Sequence, residues 1–192
     1  KIIEKKDLVS YDLYKKNRKK FRKELVEYKK NRRVELGPHA TFYFENFDTM
    51  LAQIQEMLHI EKGGDEQLKD ELNAYNPLVP KGNELVATLM FEIDNPELRA
   101  DFLGKVGGIE KKVYIQIADE KVNGNPEKDI DRTSDEGKAS SVQFLHFEFS
   151  NEQINKFKDF KNPVIICIEH ELYNHMAKIS ESTKNALAED FN

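Results

Sequence analysis

Glu61, His39 and Arg33 are the three side chains of this sequence whose types could act together as acid, base and charge-stabilising cation. Glu61 falls on the apolar stripe of a helical pattern. A carboxylate buried there alone titrates high and can serve as an acid or base, whereas a neighbouring guanidinium such as Arg33 keeps it ionised. Glu45, Gln53, Glu71, Tyr75 and Asn76 fall at nearby helix ends and tight turns, where a pocket can gather them as ligand-binding groups. The plainer alternative is that Glu61 and Arg33 tie a helix to a basic segment, while Tyr75 and Asn76 satisfy turn backbone. A second group, His170 and Tyr173 with Glu169 and His175, follows an apolar strand. Histidines so spaced bind transition metals when a carboxylate joins them, but the five histidines form no dense ligand motif, so no metal set is assigned. A third pair, Glu56-x-x-His59, has the spacing found in carboxylate di-iron bundles. It occurs once, on the face opposite the apolar stripe, and reads as a solvated pair. No phosphate-binding loop, dinucleotide glycine fingerprint or nucleophile elbow occurs, and no cofactor is assigned.

The elements that must position these residues are legible from periodicity. Leu36-Gly37-Pro38 is a turn signal leading into an aromatic strand over residues 41–44. Asn46 or Asp48 caps a helix whose Phe47, Met50, Leu51, Ile54, Met57 and Leu58 share one face. Gly63-Gly64 ends it, and a second helix presents Leu68, Leu72 and Tyr75 inward. Residues 84–93 alternate as a strand, as do 112–118, 142–149 and 164–169, with a short last strand over 176–179. The polar stretch 120–139, containing Asp129, Asp131 and Asp135, reads as an exposed mobile loop without the spacing of a calcium loop. Strands separated by short helices, with no regular βαβ alternation, predict a single α+β domain over 1–192. Its sheet is expected to be mainly antiparallel, with about five or six strands and helices packed on one face.

Composition excludes several classes. A chain of 192 residues with 39% hydrophobic content can bury a substantial core. The single cysteine, Cys167, rules out an intrachain disulfide and reads as an inert core thiol. No apolar run is long enough to span a bilayer and no leader pattern is visible, so no membrane insertion is expected and the cytoplasm is the expected location. Residues 1–34 carry 14 Lys and Arg against 5 Asp and Glu, and the remainder 16 against 30. The basic segment reads as a helix opening near Ser10 with a narrow seam of Tyr14, Phe21, Leu25 and Tyr28. Clustered cations can bind a polyanion. No nucleic-acid fold signature accompanies them, which disfavours nucleic acid and favours a helix docked on the acidic body.

The runs RVELGPHATFYFEN, TMLAQIQEML and ELNAYNPLVPKGNELVATLMFEI resemble a bacterial family of uncharacterised proteins, domain of unknown function 3501, and the similarity continues through SSVQFLHFEFS and His170/Tyr173. The family has no established activity. Its members are often encoded beside rubrerythrin-like and iron–sulfur oxidoreductase proteins, so the resemblance implies a redox or oxidative-stress context and a partner of one of those kinds. Two functional classes follow. One is an accessory or interaction protein that docks through complementary charge. The other is a metal- or small-ligand-binding enzyme built on the His39, Glu61 and Arg33 cluster.

Overall fold

The structure is a computed structural model, and it describes residues 1–127 and 132–191. Eight strands form one sheet: β1 (Arg33–Leu36), β2 (Ala40–Glu45), β3 (Glu84–Phe91), β4 (Val113–Ile117), β5 (Glu120–Pro126), β6 (Val142–Glu148), β7 (Val164–His170) and β8 (Tyr173–Lys178). Their order is β1-β2-β3-β6-β5-β4-β7-β8, and every neighbouring pair is antiparallel. The sheet curls until its first and last strands meet, giving a nearly closed barrel. This corrects the expectation of five or six strands with helices on one face.

Two strands escape the sequence pattern for physical reasons. β1 is four residues long and lies beside the basic run, yet it alternates Arg33 and Glu35 outward with Val34 and Leu36 inward. β5 falls in the stretch read as a loop because it is polar: only Val122 and Gly124 are buried. Gly124 lies against Phe147, and a Cβ there would stand 2.9 Å from the ring, so the absent side chain is what lets the strands close up. Asp129 and Asp131 lie outside the described residues.

The interior is filled by side chains from the inward faces, among them Leu36, Phe42, Phe44, Leu89, Leu145 and Phe147. Six helices surround it rather than covering one face: α1 (Tyr11–Lys29), α2 (Phe47–Glu61), α3 (Gly64–Tyr75), α4 (Pro96–Lys105), α5 (Asn151–Lys158) and α6 (Glu181–Ala188). Phe102 of α4 packs on Phe91 and Tyr173 and closes one barrel end. Phe157 of α5 and Phe191, just after α6, pack edge-on with Phe149 and close the other. Outside the barrel, α2 and α3 bury Met50, Ile54 and Leu68 with Val86 in a second, smaller core. β3 is therefore buried on both faces (Val86 and Thr88 outward, Leu85, Ala87 and Leu89 inward), which is why its eight residues are almost uniformly hidden from water.

Asn46 caps α2 in the expected way, its side chain accepting from the Thr49 N–H at 3.1 Å while Thr49 Oγ1 accepts from the Asn46 N–H at 2.9 Å. Ser10 caps α1 likewise. α1 then runs along α2 with Tyr14 as its one buried residue.

Candidate functional site

The three side chains proposed to act together occupy three separate neighbourhoods. His39 sits in the β1–β2 turn with its ring 5.2 Å from that of Phe102. Arg33 lies on the outer face of β1, bonded to Glu35 at 2.9 Å and 3.9 Å from Glu92. Glu92 in turn accepts from Thr41 and Tyr43 at 2.6 and 2.8 Å, which holds its carboxyl below the usual range against the opposing effect of burial. Glu61, at the end of α2, is exposed and accepts from Gln67 at 3.1 Å; the same amide reaches Glu71. Arg33 thus pairs with Glu35 and Glu92 rather than with Glu61.

The ligand-binding candidates are likewise dispersed. Glu45 is buried under α2, accepting from Thr49 and Thr88 at 2.7 and 2.8 Å. Gln53 meets the Tyr75 hydroxyl at 3.4 Å. Asn76 clamps the N-terminal segment, accepting from the Ile3 N–H at 2.8 Å and donating to the Ile3 carbonyl at 3.1 Å. His170 accepts from the Leu172 N–H in the β7–β8 turn, and Glu169 pairs with Lys121. Among the described residues no group of three or more His, Cys, Asp or Glu is arranged to hold a metal ion. Burial pushes the Cys167 thiol up, so it stays protonated.

Tyr173, also a ligand-binding candidate, turns its hydroxyl to backbone groups. Its hydroxyl donates to the Leu36 carbonyl at 2.5 Å and accepts from the Ala40 and His39 N–H groups at 2.9 and 3.1 Å. A single side chain from β8 thereby satisfies the backbone of the β1–β2 turn and joins the two edges of the sheet. Gly37 makes room for it: a Cβ there would lie 2.7 Å from the Tyr173 oxygen and from the His175 ring, and its φ of +68° suits glycine.

Glu56 and His59 are half-buried against α1. Arg18 of α1 grips the Glu56 carboxylate with two nitrogens, and the Tyr14 hydroxyl donates to it at 2.7 Å. The Arg18 bonds, assisted by Tyr14, hold Glu56 down at about 2, against the effect of burial. His59 stacks on Tyr11 at 5.4 Å and meets Tyr14 edge-on at 5.6 Å. The face opposite the apolar stripe of α2 is therefore where α1 attaches.

Among the buried charged groups that went unread in the sequence are Arg32, Lys184 and Glu84. Arg32 is 2% exposed and donates to the carbonyls of Phe44 and Ala186 at 3.0 and 3.1 Å and to the Asp190 carboxylate. Period-two alternation did carry a signal, since residue 32 falls on the same face as inward Val34 and Leu36. Lys184 donates to the carbonyls of Asp159 and Asn162 at 2.6 and 2.7 Å, and burial lowers its pKa. The third is Glu84, 3.0 Å from His146 Nδ1 on the outer face of β3 and β6, with Glu127 3.7 Å from the other ring nitrogen.

The hydrogen bond to Glu84 raises the His146 pKa against desolvation, with Glu127 adding to the rise and Lys81 opposing it. Burial alone would raise Glu84, but His146 and then Lys81 outweigh it and hold the carboxyl low. The histidine's contribution is complete below its ordinary value of 6.5 and is lost as pH rises through its raised value. The carboxylate's is complete above 4.5 and is lost as pH falls through its lowered value. The stability gap between the wild type and His146→Gln is therefore expected to be widest near pH 5.5 and to narrow by pH 8.5. Urea midpoints at the two pH values measure it.

α1 presents a basic face to solvent. Lys15, Lys16, Lys19, Arg22 and Lys23 are exposed and project within about 120° of one another at about 100° per residue, on the side away from Tyr14. None of the five makes an ion pair among the described residues. On the inner side, α1 and α2 border a groove of about 500 Å³ lined by Phe21, Leu25, Tyr28, Leu51 and Ala52. No helix among the described residues is long and apolar enough to cross a membrane.

No curated protein matches the sequence. Among solved structures, a novel protein of unknown function from Burkholderia pseudomallei is similar over all of both chains, with 34% identity and a TM-score of 0.93. The family model described as protein of unknown function (DUF3501) matches residues 2–191. Sequence and fold agree, and the chain belongs to the DUF3501 family.

Proposed function

We propose that the protein is a docking module, an accessory protein that binds an acidic protein surface through α1. The observation that carries this reading is the five-cation face of α1, exposed and turned away from a body that is itself acidic. A helix held along one side by Tyr11, Tyr14, Arg18 and Tyr28, with its cation face in solvent, is a good presenting element. The barrel interior, filled by side chains and plugged at both ends, serves as its rigid support. The partner we propose is of the kind that the family resemblance suggests, a rubrerythrin-like protein or an iron–sulfur oxidoreductase.

Titration of purified partner against the protein, followed by calorimetry, tests this. Affinity is expected to fall steeply with added salt, because exposed charge pairs are screened. The variant Lys15→Glu/Lys19→Glu/Lys23→Glu is expected to bind about tenfold more weakly or worse, since three exposed pairs contribute up to about 1 kcal/mol each. An affinity unmoved by both changes overturns the reading.

A further inference from the structure

We infer that the chain pairs with a second copy of itself, α1 of each copy lying along the α1–α2 groove of the other. The two helices are pinned together at both ends of their contact. Near one end Arg18 and Tyr14 hold Glu56; near the other, the Asn46 amide donates to the Tyr28 hydroxyl at 2.6 Å. Between the pins the floor is apolar and only half covered, formed by Phe21 and Leu25 of α1 and Leu51 and Ala52 of α2. Apolar surface of this kind gains by being covered.

The rim selects what covers it. Asp7, Glu24 and Asp48 border the groove against a single cation, Arg22, so the edge is acidic and calls for a basic helix with an apolar stripe. α1 answers that description, with eight Lys and Arg against three Asp and Glu over Tyr11–Lys29. The groove wall and its occupant are then the same element, which is what a two-fold interface requires. Crossing antiparallel at Phe21, the two helices bring Tyr14 of one copy opposite Tyr28 of the other, since both lie seven residues from Phe21. Lys20 and Arg22, on either side of Phe21, then border the acidic rim of the opposite groove. Lys15, Lys16, Lys19 and Lys23 of the cation face point away from this contact and stay free, and only Arg22 is shared with it, so the pairing does not rest on the docking proposal.

Sedimentation velocity of the full chain over a wide concentration range tests the pairing. The wild type is expected to move from one to two copies of the 22.4 kDa chain as concentration rises. Glu24→Lys/Asp48→Lys changes only exposed rim residues and is expected to hold the chain monomeric at concentrations where the wild type is paired. Phe21→Asp, checked for unchanged circular dichroism, is expected to do the same. A wild type that stays monomeric throughout, including one whose groove takes a helix from another protein, overturns the inference. So does a dimer that survives both variants, because its interface then lies elsewhere.

Discussion

Arg32→Met is expected to cost about 3–5 kcal/mol of folding stability, the range for removing one partner of a buried ion pair. The guanidinium lies at the barrel end closed by α5 and α6. It joins three points of the chain: the end of β2 through the Phe44 carbonyl, α6 through the Ala186 carbonyl, and Asp190 just after α6. Burial pushes the Asp190 carboxyl up while Arg32 pulls it down. Without the cation, the carboxylate must either take up a proton or stay charged in an apolar surround, and two carbonyls lose their donor. Arg32→Lys is expected to recover little, because one ammonium cannot reproduce the fork that reaches all three acceptors. Pairing Arg32→Met with Asp190→Leu should restore part of the loss, since the double variant leaves no lone charge. Urea unfolding of the four proteins measures this, and a single-variant loss below about 1 kcal/mol would show that the pair is ornamental.

Tyr173→Phe is expected to be the second large effect, about 2–4 kcal/mol, from leaving the Leu36 carbonyl and the Ala40 N–H without a partner in a buried seam. The lost hydroxyl volume is small, so the cost is almost wholly one of unmade hydrogen bonds. The edges of the sheet are joined at this point, and the amides of β1 and β8 should exchange faster in the variant while those of β3 and β6 keep their protection. Gly37→Ala acts on the same joint from the other side, forcing a Cβ into the space held by the Tyr173 oxygen and the His175 ring. Equal exchange throughout the sheet in Tyr173→Phe would mean that the seam is closed by something other than this hydroxyl.

The apolar strands were readable from their residues: β6 alternates buried with partly exposed positions, and β3, β4 and β7 are apolar runs hidden along most of their length. β5 has two buried positions in seven and is held by its neighbours' ladders, which leave little trace in its own residues. Closure was beyond the sequence for a related reason. Tyr173 and Leu36 are separated by 137 positions, and no local pattern says that two sheet edges will meet. Helix faces suffered the converse error. The side of α2 bearing Glu56 and His59 is polar, and polarity suggested water, yet the polar groups belong to the contact with Arg18 and Tyr14. The site candidates were chosen as neighbours in sequence around turns, and the barrel separates such neighbours onto its inner face, its outer face and its ends. His39, Glu61 and Arg33 part company in that way. The arginine with the greater structural burden is Arg32, one position away from the one singled out, because a shift of one residue along a strand exchanges inside for outside.

Hydrogen exchange with and without a purified rubrerythrin-like or iron–sulfur partner tests the central claim most directly. Docking through α1 predicts that protection appears over Tyr11–Lys29 on complex formation, while the barrel end around His39 and Tyr173 exchanges as before. Protection centred on that end, with α1 unchanged, would contradict the account and move the binding surface to the β1–β8 seam.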